Sequence, residues 1–301
     1  MEYWIVNGTV FDGITPEPRQ VDIKVVDGKI AEIGHYSGGE KIDVNGLKIV
    51  PGLVEAHCHL GIAGWGNRYD GADYNEKNDC ITPELNPIDA INPFDETMRF
   101  ALEGGVTCVG TGPGSSNVLG GNFIAIKTHG SRVDDMVVKE KVAMKCAFGE
   151  NPKNLYQSKF ISSRMTTAAK LRETLAKARE YMEKLDAAEK DPNCKKPDFN
   201  FKLHAMLPVM RREIPLKAHA HQTNDLFTAI RIAKEFNVKL TLEHCTEGHL
   251  IADQLAAEGF PWRWAPPLLI PESRKCVKNL TPPPAYFTGR AVRCLLLPTP
   301  M

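Results

Sequence analysis

The feature that most restricts what this chain can fold into is the alternation, from residue 51 onward, of short apolar runs with helical stretches. Residues 106–110, 142–147, 214–219 and 238–244 are apolar runs of strand length with little polar alternation, the pattern of strands buried on both faces of a parallel sheet. Between them, residues 166–189 are rich in Ala, Lys, Leu and Glu, and 224–236 and 249–258 carry apolar residues at helical spacing. Strand and helix in turn predict a parallel α/β fold.

Residues 1–50 read differently. Tyr3-Trp4-Ile5-Val6 and Asp22-Ile23-Lys24-Val25-Val26 have strand character, and Asp27-Gly28 is a tight-turn pair leading into Lys29-Ile30-Ala31-Glu32-Ile33. This is a small antiparallel β unit. Residues 60–95 are long, polar and glycine-containing, which suits a loop over a site, and residues 113–135 read as an inserted loop or hairpin. Residues 261–301 hold nine of the 21 prolines and two of the four tryptophans, a density that blocks both helix continuation and a central strand. The expected organisation is a β unit over 1–50, an α/β domain over 51–260, and an irregular Pro-rich tail over 261–301.

With 301 residues, 43% of them hydrophobic, and no formal net charge, the chain can bury one large core and a small one. It carries no long-range field to attract nucleic acid or an anionic membrane, so a small-molecule partner is expected. The eight cysteines, at 58, 80, 108, 146, 194, 245, 276 and 294, form no CxxC pair, and reduced thiols in a cytoplasmic protein are the simpler expectation. No leader pattern and no apolar run of about 18 residues appears. Whether the chain forms a homo-oligomer stays open.

The chemistry concentrates in histidines. In an extended segment, side chains two apart share a face, so His57 and His59 of His57-Cys58-His59 can share one cation. Neutral imidazole suits zinc and related divalent metals, and a catalytic site needs further protein ligands plus an open position. His219 and His244 each end an apolar run, the strand end at which parallel barrels build their sites. Glu150 follows the run 142–149 and is a candidate carboxylate ligand, with a helix-start role as the alternative. His221 shares a face with His219 if the strand continues, and then contacts substrate; otherwise it opens the next loop. Arg68, Tyr69 and Asp70 on the long loop are candidate contacts for a polar substrate group. His35, His129, His204 and His249 read as surface or helix-start residues, and Cys58 and Cys245 as packed core thiols.

These residues resemble the amidohydrolase superfamily, and within it the imidazolonepropionase-related enzymes. The likeness runs from about residue 1 to 260. It rests on Val50-Pro51-Gly52-Leu53-Val54-Glu55-Ala56-His57-Cys58-His59, Phe148-Gly149-Glu150-Asn151-Pro152-Lys153, Pro215-Leu216-Lys217-Ala218-His219-Ala220-His221, and Leu242-Glu243-His244-Cys245-Thr246-Glu247-Gly248-His249. Glu55 stands where the family usually has aspartate. The resemblance implies a TIM-like β/α barrel beside a β-sandwich built from both chain ends, and hydrolysis of a non-peptide C–N bond, amide or cyclic amide-like, by a metal-bound hydroxide. It implies His57, His59 and His219 as ligands of one or two zinc-like ions. His244 is then either a ligand of a second ion or a group that polarises substrate, and Glu150 resembles the carboxylate that some members use in place of a carboxylated lysine.

One part of the family pattern is missing. The last barrel strand of the family ends in a metal-binding aspartate that moves protons, and this chain has no aspartate beyond Asp253. The segment after Phe260 reads as if frame-shifted, with Lys278-Asn279-Leu280-Thr281-Pro282 a short island of renewed likeness. An incomplete barrel is therefore expected, and a catalytically inactive or truncated relative that still binds metal is the alternative to an active enzyme.

Overall fold

The computed structural model describes residues 1–65, 69–159 and 161–263. Two compact units divide after Leu53, the first Met1–Leu53 and the second formed by the described residues from Val54 onward. In the first unit the strands are β1 (Glu2–Val6), β2 (Thr9–Val10), β3 (Arg19–Gln20), β4 (Asp22–Val26), β5 (Lys29–Gly34), β6 (Lys41–Asp43) and β7 (Lys48–Ile49). They make a four-stranded sheet in the order β5-β4-β1-β6 and a three-stranded sheet in the order β3-β2-β7. The predicted tight turn joins β4 to β5, with Asp27 and Gly28 both at positive φ, the hairpin geometry that matches strand twist. Val10 from one sheet and Ile23 and Val25 from the other meet in one small core.

The second unit runs β8 (Leu53–Cys58), α1 (Glu96–Glu103), β9 (Val106–Thr111), β10 (Leu119–Lys127), α2 (Val133–Met136), β11 (Val137–Ala147), α3 (Glu150–Tyr156) and α4 (Arg164–Lys190). It continues with α5 (Phe201–Ala205), α6 (Leu207–Met210), β12 (Leu216–Ala220), α7 (Thr223–Phe236), β13 (Leu240–His244) and α8 (Ala252–Glu258). Its six strands form one sheet in the order β13-β12-β11-β10-β9-β8. β11, β12 and β13 are parallel, as the apolar runs predict, while β10 is antiparallel to both its neighbours. Of the two readings of 113–135, loop or hairpin, the structure takes the hairpin: nine of those residues form β10, antiparallel to β9, in the middle of the sheet and buried along most of its length.

Helices cover the sheet. The long helix α4 begins at Ser163, whose side chain accepts from the Thr166 amide, a good N-cap. It ends at Asp191, before Pro192, where the helical conformation is disfavoured. Leu171, Leu175, Ala178 and Leu185 line its buried face. Leu171, Leu175 and Ala178 join Leu216, Leu240 and Leu242 of the sheet and Leu226, Ile230 and Ala233 of α7 in the main core, while Leu185 packs with Tyr181 and Leu207 in a smaller cluster. At roughly 1.5–3 kcal/mol per fully buried large side chain, this layer is the chief stabilising term. A second core forms under β9 and β10 from Ile91, Met98, Val109, Ile124, Ile126 and Met136.

The sheet is curled, and an elementary observation establishes it. β8 and β13 are the two outermost strands, yet the rings of His57 on β8 and His244 on β13 lie 5.3 Å apart. Strands sit about 4.8 Å from their neighbours, so six of them in a flat sheet would separate these rings by more than 20 Å. This is an incomplete β/α barrel. The edge β8 leaves Leu53 and Val54 more than half exposed. On the other edge, residues 261–263 pair with β13: Leu242 donates its amide to the Pro261 carbonyl, Arg263 donates to the Leu242 carbonyl, and Trp262 bridges Leu242 in parallel. The rest of the segment predicted as an irregular tail, residues 264–301, lies outside the described residues.

Candidate functional site

The site grows from the carboxyl ends of β8, β12 and β13. In register, Ala220 of β12 faces His244 of β13, and Ala147 of β11 faces His219, so the predicted strand-end histidines fall on one rim. The chain passes His244 and Cys245 at φ of 71° and 43°, a left-handed conformation that is costly for residues other than glycine and that turns the His244 ring toward its neighbours. Ring centres are 5.5 Å apart for His57–His59, 4.6 Å for His219–His244, 4.5 Å for His219–His221 and 5.1 Å for His221–His244. Five imidazoles thus form one connected patch: β12 ends at Ala220, so His221 opens the next loop, yet its ring still lies against those of His219 and His244.

The other predicted site residues are placed less simply. Glu150 is the first residue of α3, separated from the end of β11 by two residues, and lines a small cavity with His221, Arg164 and Asp225. The next residue, Asn151, puts its amide Nδ2 3.1 Å from His219 Nε2. Tyr69 and Asp70 line a surface cavity with Asp73, Glu76 and Lys77 that no histidine borders. Arg68 lies outside the described residues. Tyr74, from the same long loop, brings its ring to 5.9 Å from His59. Cys58 donates weakly to the Gly110 carbonyl and Cys245 is in the main core. His249 accepts or donates nothing to the cluster; its Nδ1 lies 3.0 Å from the Thr246 carbonyl.

Beneath the imidazoles lies an ionic layer that sequence reading missed. Glu243 is 1% exposed; its carboxylate accepts from Lys217 Nζ at 2.7 Å and from Arg263 Nη1 at 3.0 Å. Arg263 also donates to Glu55 at 2.9 Å, and Glu55 accepts the His57 amide at 2.7 Å. One guanidinium therefore spans the two outer strands, bonding Glu55 of β8 and Glu243 of β13. Lys145, fully buried on β11, lies 3.5 Å from His57 Nε2. The available signal was lysine at strand positions 145 and 217, where a parallel strand is otherwise apolar, but a lone strand lysine also marks an edge.

Burial, then the charges of Lys145 and Lys217, hold His57 well below the usual histidine range. Burial lowers His59 to about 4 and, with His221, puts His244 well below its ordinary value. Burial also brings Lys145 down to about 7 against the pull of Glu243. For Glu243 burial acts in the opposite direction, but Lys217 and Arg263 outweigh it and the carboxyl sits below the ordinary range. His57, His59 and His244 are therefore neutral near pH 7 and have lone pairs to offer.

Three tests bear on whether this set suits a divalent cation. Two imidazoles sharing a tetrahedral ion at 2.0–2.1 Å have ring centres roughly 5 Å apart, which the observed spacings match. The protonation state of His57, His59 and His244 is the one that a ligand needs. Convergence is incomplete: among the described residues, no three His, Cys, Asp or Glu side chains are arranged to hold a metal ion as they stand. His57 Nε2 and His219 Nε2 face the N–H donors of Lys145 and Asn151 instead. The donor set fits a cation in type and spacing, provided that those two side chains turn aside.

A curled β/α sheet with an imidazole patch at the carboxyl ends of its strands defines a histidine-centred barrel protein. Comparison with known proteins narrows this. No family model matches the chain. The fold superposes on the crystal structure of an amidohydrolase from Thermotoga maritima MSB8 with a TM-score of 0.85 and 36% identity, covering 91% of this chain and 72% of the other. Amidohydrolase tasK of Hapsidospora irregularis is 26% identical over 249 residues, 75% of this chain and 25% of its own length. A dihydroorotase of Ruminiclostridium cellulolyticum is 36% identical over 122 residues, 40% of this chain and 23% of its own. The chain belongs to the amidohydrolase superfamily. It spans about a quarter of the length of these curated relatives.

Proposed function

We propose that this chain is, or is part of, a metal-dependent hydrolase of a non-peptide C–N bond in a small amide or cyclic amide. The single observation that carries the reading is the meeting of His57, His59, His219 and His244, from three separate strands of a curled sheet, within 5.5 Å of one another ring to neighbouring ring. In this reading His57, His59 and His219 hold a divalent ion, zinc by the softness of its donors, and Glu150 and His244 complete the site or hold a second ion. Such an ion lowers the pKa of water and polarises a carbonyl carbon. The chain's own groups do the rest. In this reading His244, held neutral, donates its N–H to a substrate carbonyl oxygen, His221 stacks on it, and the Tyr74 ring lies beside that of His59.

The finer kinship to imidazolonepropionase-related enzymes is part of this proposal, as are cytoplasmic location and the three-part organisation with residues 1–50 as the chain's half of a β-sandwich. No described helix is long and apolar enough to cross a membrane. A second reading, an inactive relative that retains metal, is favoured by one sequence fact, the lack of any aspartate beyond Asp253.

Metal analysis tests the proposal. The purified chain is expected to carry one or two zinc equivalents, and a His57→Ala, His59→Ala double variant to lose at least one. Unchanged stoichiometry in the variant removes the assignment. Assay of the zinc-loaded chain against cyclic amides of the dihydroorotate type separates the readings, since turnover that a chelator abolishes excludes the inactive relative.

A further inference from the structure

Three of the clustered histidines present the same tautomer, and each is held to it by a different neighbour. A carbonyl oxygen only accepts, so His59 Nδ1, 2.7 Å from the Gly112 carbonyl, carries the proton and leaves the lone pair on Nε2. At His219, Asn151 Nδ2 donates to Nε2 at 3.1 Å, so the proton is on Nδ1 and is donated to Ser115 Oγ at 2.9 Å. At His57, Nε2 lies 3.5 Å from Lys145 Nζ, a contact in which a lysine titrating near pH 7 serves as donor or acceptor, so the proton is set from the other side, by the acceptor-only Glu243 carboxylate beside Nδ1. That atom lies 3.3 Å from Glu243 Oε2 and is buried with no aligned hydrogen bond.

Glu243 is built to receive it. Its carboxylate is fixed by Lys217, Arg263 and Thr241 Oγ1, leaving little freedom to swing away, and a modest turn of the His57 ring aligns Nδ1–H with Oε2. The Nε2 edges of all three rings are thereby the lone-pair edges. A partner on the far nitrogen that fixes ring orientation and makes the ligating nitrogen more basic is the outer-shell arrangement of metal-bound imidazoles.

We infer that Glu243 and Ser115 are positioning residues that hold His57 and His219 as Nδ1–H tautomers with Nε2 presented to a divalent cation. The inference rests on the metal-binding reading above but makes its own claim about proton position. Ser115 acts on His219 alone, and Glu243 on His57. His59 is held by a backbone carbonyl that no substitution removes, so it is an internal reference.

The test uses the full chain labelled with ¹⁵N on histidine. Long-range ¹⁵N–¹H correlation at pH 7 is expected to show Nδ1–H tautomers for His57, His59 and His219. Ser115→Ala shifts the His219 signals toward a tautomer mixture, Glu243→Gln shifts those of His57, and His59 stays unmoved in both. Zinc affinity, measured by competition with a chelator, weakens about 10- to 100-fold in each variant. Ser115→Ala removes no charge and a single side-chain hydrogen bond, so it decides the matter if Glu243→Gln does not fold. Unchanged ring signals and zinc affinity in the variants overturn the inference, as do Nε2–H tautomers of His57 and His219 in the parent chain. If the parent chain takes up no zinc, the proposed function falls, and the ring signals alone still decide between a shell that sets the tautomers and one that does not.

Discussion

A single atom decides much at the residue scale. Gly149 sits at φ 84° between β11 and the helix that begins with Glu150, and a Cβ there would lie 2.7 Å from Asp225 Oδ2. Gly149→Ala is expected to destabilise the chain by about 1–3 kcal/mol, read as a lower urea midpoint. Cys146, on the same strand, offers a pH test away from the imidazoles. Burial pushes its thiol from 9.0 up to about 12, so between those values the unfolded chain loses a proton that the folded chain keeps. Its contribution to stability is complete below pH 9 and declines as pH rises, by about 1.4 kcal/mol per pH unit. The stability gap between the parent chain and Cys146→Ala should therefore be constant from pH 7 to 9 and narrow by roughly that amount at pH 10; a gap that does not change with pH contradicts the assignment. At this scale the sequence reading reached His57, His59, His219, His221 and His244, because strand ends and two-residue spacing put them there. It did not reach Glu243, Lys217 or Lys145, because which carboxylate meets which amine depends on the curl of the sheet and not on spacing along one strand.

Elements were legible where periodicity was undisturbed. Helix α4 was expected over 166–189 and runs Arg164–Lys190, since its Ala, Leu, Lys and Glu content and apolar spacing agree. Strand β10 was hidden by Gly120-Gly121 and Asn122, residues that usually mark a turn. In the fold, Gly121 is needed because a side chain would collide with the Leu85 carbonyl, and Asn122 donates its amide to that same oxygen. The glycine answers a close approach from another segment, which no local pattern reports. For α4 a contrast in burial sets the expected energetics. Leu175 is fully buried in the main core, and Leu175→Ala should cost about 2–5 kcal/mol. Lys177, more than half exposed in its ion pair with Glu173, should change stability by less than about 0.5 kcal/mol when replaced by alanine. Urea unfolding of the two variants side by side checks both figures, and comparable losses would mean that α4 is not packed as described.

For the whole molecule, the sheet's two outer strands are joined not by backbone hydrogen bonds but by the ion pairs of Arg263 with Glu55 and Glu243. Removing one partner of a buried ionic group leaves the others uncompensated, so Arg263→Met is expected to cost about 3–5 kcal/mol, seen as a fall in the thermal midpoint of the full chain; a midpoint within about 1 °C of the parent's would show that the clasp contributes nothing, since 1 kcal/mol corresponds to about 2–4 °C for a domain of this size. The general class of fold was readable from alternating strands and helices. Closure was not, because the sequence reading placed Arg263 in a proline-rich tail and gave it no part in the barrel. That same residue clasps the open seam of the sheet, where the rings of His57 and His244 also meet. If both rings take hold of one ion, as proposed, the ion adds a second clasp across the seam, and amide exchange in the outer strands should slow when zinc is added.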